Sequence, residues 1–319
     1  MSDTNDFRGA AQSADQPAVD GPMVAGLIAA QFPRWASLPV TQVRSAGTDN
    51  ALFRLGDELV VRLPRNPGAM RDIDKEGRWL PRLAPRLPLA IPAPIAVGTP
   101  ADGFPYPWAV CRWIDGVNAM DGSIADLDAA AVRLGQFVRA LRRCEPADGP
   151  PSFRGGHVAT RDAEVSSAVH GLASSGALGE IEPLRGPDAV DVVGAAWQTA
   201  RTAPPWPGPP VWVHADLHPA NLLVRGGRLA AVVDFGGLGV GDPACDMLPA
   251  WTLLTADTRE SFRAEADVDD ATWVRGRGWG LCLGLGALHV YRSTNPVLAE
   301  IGRRAVTEAI SDFRRAASA

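Results

Sequence analysis

The chain has 319 residues, a formal net charge of −5, and 46% hydrophobic and 21% charged residues. This is ordinary for a globular protein large enough for a sizeable core and two lobes, and the mild acidity gives no reason to expect a nucleic-acid partner. No apolar run is long enough to span a bilayer and the N-terminus lacks the basic-then-apolar layout of a signal peptide, so a cytoplasmic protein without membrane association is expected. Cys111, Cys144, Cys245 and Cys282 are scattered without a CxxC pair, which fits free thiols better than disulfides or a zinc site. Lys75 is the only lysine, and its neighbours rule out a GxxxxGK[ST] phosphate loop.

Residues 1–20 are polar and are expected to form a disordered tail. Helical spacing predicts a helix over Met23–Phe32, stopped by Pro33. Val40–Leu63 reads as three strands, with turns at Gly47–Asn50 and at the dipeptide Gly56-Asp57. A helical segment follows from Asp72 to Leu83, then a proline-rich loop with one short strand, Ile95–Gly98. Trp108–Ile114 is strand-like and is broken by Asp115-Gly116. Ser123, with Asp126 three positions on, has the form of a capping box, and apolar residues from Leu127 to Leu141 recur at 3–4 spacing. Pro146–Gly156 reads as loop, His157 and His170 as surface histidines, and Asp188–Thr202 as helix.

The stretch from Val211 to Asp246, VWVHADLHPANLLVRGGRLAAVVDFGGLGVGDPACD, is denser in chemistry than the rest. Val211–Val213, Leu222–Val224 and Leu229–Val233 read as short strands, and Gly226-Gly227 as a tight hairpin between the last two. A hairpin brings the polar groups before it, Asp216 and Asn221, towards Asp234 after it. One carboxylate can accept a proton from a hydroxyl, while an amide and a second carboxylate are hard oxygen donors suited to Mg²⁺. These are the parts needed for phosphoryl transfer, in which positioning and charge neutralisation do most of the catalysis. Helices are expected afterwards at Met247–Ala256, Trp273–Tyr291 and Pro296–Ala316, with the acidic stretch Asp257–Asp270 as a solvated loop.

HADLHPANLL followed by VVDFGGLGVGDPACD resembles the aminoglycoside phosphotransferase family, small-molecule kinases of the protein-kinase-like fold. The family's catalytic loop has the form H-G-D-x-x-x-x-N, and here Ala215 stands in place of the glycine. The resemblance implies an α+β bilobal fold with an N-lobe over residues 21–114 and a C-lobe over 115–319. ATP, with GTP not excluded, would bind between the lobes with Mg²⁺. Asp216 would be the catalytic base, and Asn221 and Asp234 the metal ligands. His214 would brace the loop, His218 would help place Asp216 or a phosphate, and Asp242 and Asp246 of GDPxxD would be structural acids. Gly47, Thr48 and Asn50 would lie over the nucleotide phosphates, and Arg62, paired with Glu76, would contact them. Backbone groups of Arg112, Trp113 and Ile114 would bond adenine. The partner would be a small hydroxyl compound, such as an aminoglycoside or other antibiotic, or a metabolite of choline, homoserine or sugar-amine type, bound by a monomer or homodimer. Trp251, Trp273 and Trp279 are candidates to stack on it, although helical tryptophans are usually core.

Two other readings use the same residues. His214-x-Asp216 with a distant His289 resembles an iron(II) facial triad, which requires a double-stranded β-fold after Asp216 and leaves Asn221 and Asp234 idle. A nucleotide-binding module without catalysis requires a defect in the set Asp216, Asn221 and Asp234, all of which are present.

Overall fold

The computed structural model describes residues 19–43, 49–101, 103–146 and 148–318. The expected tail, up to residue 18, and the turn residues Gly47 and Thr48 lie outside these. The chain divides into two compact units. One comprises residues up to Arg86, Ala90–Asp115 and Val233–Gly236; the other comprises Leu87–Leu89, Gly116–Val232 and Gly237–Ala319.

The first unit is built on an antiparallel sheet whose strands run in the order β1 (Val40–Val43), β2 (Asn50–Leu55), β3 (Leu59–Pro64), β5 (Trp108–Arg112), β4 (Pro94–Gly98). Helix α1 (Gly21–Gln31) starts where the Asp20 side chain accepts a hydrogen bond from Met23 N at 2.9 Å. It buries Val24, Leu27 and Ile28 against Phe53, Leu55, Leu59, Val61, Leu63 and Trp108. Helix α2 (Pro67–Leu83) is capped by Asn66 and so begins earlier than Asp72. It buries Ile73, next to a cluster that includes Val60, Ala109 and Cys111. Strand β3 is therefore covered on both faces and buried along its length, which explains its near-continuous apolar sequence. The turn before it is longer than the expected dipeptide: Leu55 pairs with Leu59, leaving Gly56, Asp57 and Glu58 in the loop, with Gly56 at φ 58°.

In the second unit the hairpin of β8 (Leu222–Arg225) and β9 (Arg228–Val232) turns on Gly226 and Gly227, at φ 57° and 75°. Two successive positive φ values are what a tight two-residue hairpin turn demands. Strand β6 (Val117–Asn118) joins its outer edge. Strand β7 (Val211–Val213) pairs instead with β10 (Gly239–Gly241), a glycine-rich strand whose sequence carries no strand signal. Helix α3 (Leu127–Arg142) is capped by Asp126 rather than Ser123, since the Asp126 carboxylate takes the Ala129 N–H at 2.9 Å. Helices α4 (Asp162–Ser174) and α5 (Ala189–Thr202) follow.

The C-terminal part departs furthest from expectation. Of the helix expected over Met247–Ala256 only the one-turn α6 (Pro249–Thr252) forms, just after a 3₁₀ turn, Pro243–Met247. The acidic stretch read as a loop is mostly helix α7 (Ala256–Ala266). Arg259, Phe262 and Ala266 form its buried face, and the Arg259 guanidinium is satisfied by Ala250 O and Glu308. A buried arginine at a helical apolar position disguises the period that would reveal such a helix. Helix α8 (Asp270–Tyr291) is buried nearly all round and packs on α9 (Pro296–Ser318). Trp251, Trp273 and Trp279 are core residues, with Trp251 and Trp273 ring centroids 4.9 Å apart, and are not exposed platforms for a substrate. All four cysteines are buried, and none is in a disulfide. No helix among the described residues is long and apolar enough to cross a membrane.

The α8–α9 contact closes at two glycines. A Cβ on Gly284 would fall 2.8 Å from Gly302 O, and one on Gly302 would fall 2.9 Å from Gly284 O. Backbone cannot retreat as a side chain can. Gly284→Val is expected to cost roughly 2–3 kcal/mol or more by overpacking, read as a lowered urea midpoint with the slope unchanged.

Candidate active site

In the first unit, the period-2 alternation of β3 places Arg62 on the side facing α2, and the helical period of α2 places Glu76 on the face shared by Ala69 and Ile73. The two meet as a buried, two-pronged ion pair, Arg62 Nη1 to Glu76 Oε2 and Nη2 to Oε1. Arg62 is 8% exposed and Glu76 fully buried. Burial works against the charge on Arg62, but the Glu76 carboxylate more than offsets this and holds the guanidinium protonated; Asp234 acts in the same direction. Arg62 is thus neither exposed nor on an edge strand.

Asp234 follows β9 and belongs to this unit. It has φ 62° and an exposed side chain, whose Oδ1 lies 3.4 Å from Gly236 N. The segment is tied to α2 by Lys75, whose ammonium donates to Gly236 O and pairs with Asp72 at 2.9 Å. Neither Lys75 nor Asp72 was expected at the site. The only forewarning in sequence is that Lys75 is the sole lysine of an arginine-rich chain. Asn50 opens β2, and its buried Oδ1 has no hydrogen-bond partner. Arg112 ends β5; Trp113 donates its amide to Glu58 O at 2.7 Å and its indole N–H to Asp115 at 2.9 Å. The Trp113 N–H is therefore spent, and of the three expected base-binding residues it cannot be a donor.

In the second unit a sharp turn follows β7. Ala215 adopts φ 68°, a left-handed conformation that costs an L-residue about 1–2 kcal/mol. The turn is held from below by Asp246, which accepts His214 N at 2.9 Å on Oδ2 and Ala215 N at 2.7 Å on Oδ1. His214, fully buried, accepts Asp216 N on Nδ1 at 3.2 Å. Asp242 caps the turn Pro243–Met247 through Ala244 N and forms a buried two-pronged pair with Arg275. The backbone thus throws Asp216 outward from a buried, fully bonded base.

Both oxygens of Asp216 are engaged. Asn221 Nδ2 donates to Oδ2 at 3.0 Å and to the Asp216 carbonyl at 2.9 Å, and His218 Nε2 lies 3.3 Å from Oδ2. Oδ1 is taken by Arg154, whose Nη1 also bonds Ala215 O at 2.9 Å. Burial alone would raise the Asp216 carboxyl, but His218 and Arg154 outweigh it and hold it well below the usual carboxylate range. His218 Nδ1 is buried without a hydrogen-bond partner. Arg154 lies in the segment Pro146–Gly156, which reads as plain loop, and no spacing pattern marks it.

The iron triad does not form. Among the described residues no three His, Cys, Asp or Glu side chains converge as ligands; His289 sits on α8 against Gly171 of α4, and the chain after Asp246 is helical.

The profile of the phosphotransferase enzyme family, APH, matches residues 40–279. The chain belongs to that family. Among solved structures, this phosphotransferase is similar to APH(2″)-IIIa in its GDP and kanamycin complex, with 20% identity over 91% of this chain and 99% of the other, and a TM-score of 0.67. It is also similar to the macrolide 2′-phosphotransferase MphH of Brachybacterium faecium, with 22% identity, 90% and 97% coverage and a TM-score of 0.56. The APH(2″)-IIa ternary complex with streptomycin and ATP follows at 18% identity, 92% and 98% coverage and 0.55. No curated protein sequence matches. The α+β kinase-like fold expected from the sequence is the one these structures share.

Two outcomes follow for the buried acids. Arg62→Met or Glu76→Leu alone leaves an unpaired buried charge and is expected to cost about 3–5 kcal/mol, while the double variant recovers most of it; urea denaturation of the three variants checks this. Burial pushes the Asp246 carboxyl from 3.8 up to about 7, against the pull of its two backbone N–H donors. Between those values the native state keeps a proton that the unfolded chain has released. The stability this group contributes is therefore complete below about pH 4 and is lost as pH rises through about 7. Denaturation at pH 5 and pH 8 should show a steeper decline for wild type than for Asp246→Asn.

Proposed function

We propose that the protein transfers the terminal phosphoryl group of ATP or GTP to a hydroxyl of a small molecule. The observation that carries this reading is the turn at Asp216, a carboxylate ejected from a rigid, positive-φ corner and fixed through both oxygens. Membership of the phosphotransferase family and the nucleotide complexes among the structural neighbours support it.

Asn221 and Asp234 each carry a hard oxygen of the kind a magnesium ion takes. All the hydrogen bonds described for the Asn221 side chain run through its amide nitrogen, which leaves the carbonyl oxygen as the end offered to a cation. Asp234 presents an exposed carboxylate. A site of few protein oxygens completed by phosphates and water is the usual arrangement for Mg²⁺. When bound, the ion would supply positive charge to offset that developing on the transferred phosphoryl group.

Asp216 orients the acceptor hydroxyl and takes its proton as the bond to phosphorus forms. Asn221 and His218 hold that carboxylate. Arg62, kept charged by Glu76, neutralises nucleotide phosphate. The purine would use the Trp113 carbonyl or the Ile114 N–H, since the Trp113 N–H is committed to Glu58. The acceptor is an aminoglycoside- or macrolide-like hydroxyl compound, with choline-, homoserine- or sugar-amine-type metabolites as the alternative.

The test is turnover of MgATP and MgGTP in the presence of kanamycin, gentamicin, streptomycin, a macrolide, choline and homoserine, with the phosphorylated product identified by mass. Asp216→Ala is expected to lose roughly 10²–10⁴-fold in kcat. Asp234→Ala is expected to lose Mg²⁺-dependent transfer while melting as wild type does. An Asp216→Ala protein as active as wild type would overturn the reading.

A further inference from the structure

The loop Pro150–Gly155 is built with unusual care for a surface connection. Ser152 N donates to Val240 O at 3.0 Å, Val240 N to Pro150 O at 2.8 Å, and Asp242 N to Gly155 O at 2.8 Å, so the loop runs along β10 as an additional strand-like edge. Ser152 Oγ adds a bond to Gly237 O at 2.9 Å. The approach is so close that side chains are excluded on both sides. A Cβ on Gly239 would fall 2.5 Å from Ser152 N, one on Gly155 would fall 2.8 Å from Val240 O, and one on Gly241 would overlap Gly155. A Cβ on Gly237 would fall 2.6 Å from His214 O and 3.2 Å from the Phe153 ring. Gly237, Gly239 and Gly241 are thus accounted for by this loop and by the turn beside it.

The side chain this scaffold delivers is Arg154. It is 7% exposed, its guanidinium lies 4.9 Å from the Phe153 ring centroid, and one nitrogen bonds both the Ala215 carbonyl and Asp216 Oδ1. With Asn221 and His218 on Oδ2, the carboxylate is gripped at both ends and cannot turn about its Cβ–Cγ bond without breaking one of these contacts.

We propose that Arg154 is a positioning residue for phosphoryl transfer, aiming the Asp216 carboxylate, and that the Pro150–Gly155 loop and the β10 glycines form the platform that aims it. This rests on the reading of Asp216 as the base. An arginine paired to a base does not make it a stronger proton acceptor. Its contribution is orientation, which suits a reaction in which geometry dominates and proton affinity counts for little. A carboxylate displaced by about 1 Å loses on the order of 10²-fold.

The test compares Arg154→Gln and Arg154→Lys with wild type, using MgATP with kanamycin, with a macrolide and with water as acceptors, and follows the fastest of the three. Arg154→Gln is expected to lower kcat about 10–100-fold with the KM for nucleotide within about 2-fold, and Arg154→Lys to recover part of the loss. Added to Asp216→Ala, Arg154→Gln is expected to change the residual rate by less than about 2-fold, because there is no carboxylate left to aim. A wild-type kcat for Arg154→Gln, an effect confined to KM, or an undiminished further loss in the Asp216→Ala background overturns the proposal and leaves the phosphotransfer reading intact. A wild-type protein with no transfer to any acceptor overturns both. Thermal melts accompany each variant. Where the glutamine variant does not fold, Arg154→Lys decides: a kcat loss of about 3–10-fold at unchanged KM supports the role, and wild-type kcat overturns it.

Discussion

One carboxylate under one turn holds the second unit's chemistry in place. Asp246 receives two consecutive backbone N–H groups, those of His214 and Ala215, one on each oxygen. Consecutive amides point the same way only when the chain turns sharply, and here the turn is made by a non-glycine residue in a left-handed conformation. The bonds to Asp246 offset the strain in Ala215, and the strain in turn sets the direction in which Asp216 leaves the core. The carboxylate of Asp246 is supplied by a 3₁₀ turn that Asp242 caps, and Asp242 is itself held by the buried Arg275. A chain of three buried acidic and basic groups thus runs from α8 up to the turn, and each would be costly to bury alone.

The first unit solves a related problem by different means. A buried arginine needs a partner that is equally fixed, and Glu76 is fixed by lying on the apolar stripe of α2 between Ile73 and Leu80. The strand that carries Arg62 has helices over both faces, so the pair is sealed by packing rather than by loops. A few residues of later sequence, Val233–Gly236, complete the unit and bring Asp234 with them, and Lys75 and Asp72 of α2 receive them.

Much of this was visible in the sequence because it is local. The Gly226-Gly227 hairpin, the spacing from His214 to Asn221 and the GDPxxD run are short-range patterns with fixed geometry, and the Val211–Asp246 segment folds largely as its letters imply. The family resemblance carried the fold. What stayed hidden depends on contacts between distant residues. Arg154 reaches Asp216 across 62 positions, and β10 becomes a strand only because β7 and the Pro150–Gly155 loop flank it. Helix α7 was concealed by charge, since an arginine holding Glu308 and Asp312 occupies a position where periodicity looks for an apolar residue. The tryptophans went the other way: three rings that could have met a ligand fill the core around α8.

Lys75 gives the chain a property that its 30 arginines cannot. With no other lysine in the sequence, the side-chain amines of this protein reduce to a single nitrogen, and that nitrogen rests on the carbonyl of Gly236, two residues from Asp234. Amine-directed acylation can therefore modify the molecule at one internal point only. The speed of that labelling, followed by mass spectrometry, becomes a native reporter of whether the Val233–Gly236 segment is seated or released, with no probe engineered in.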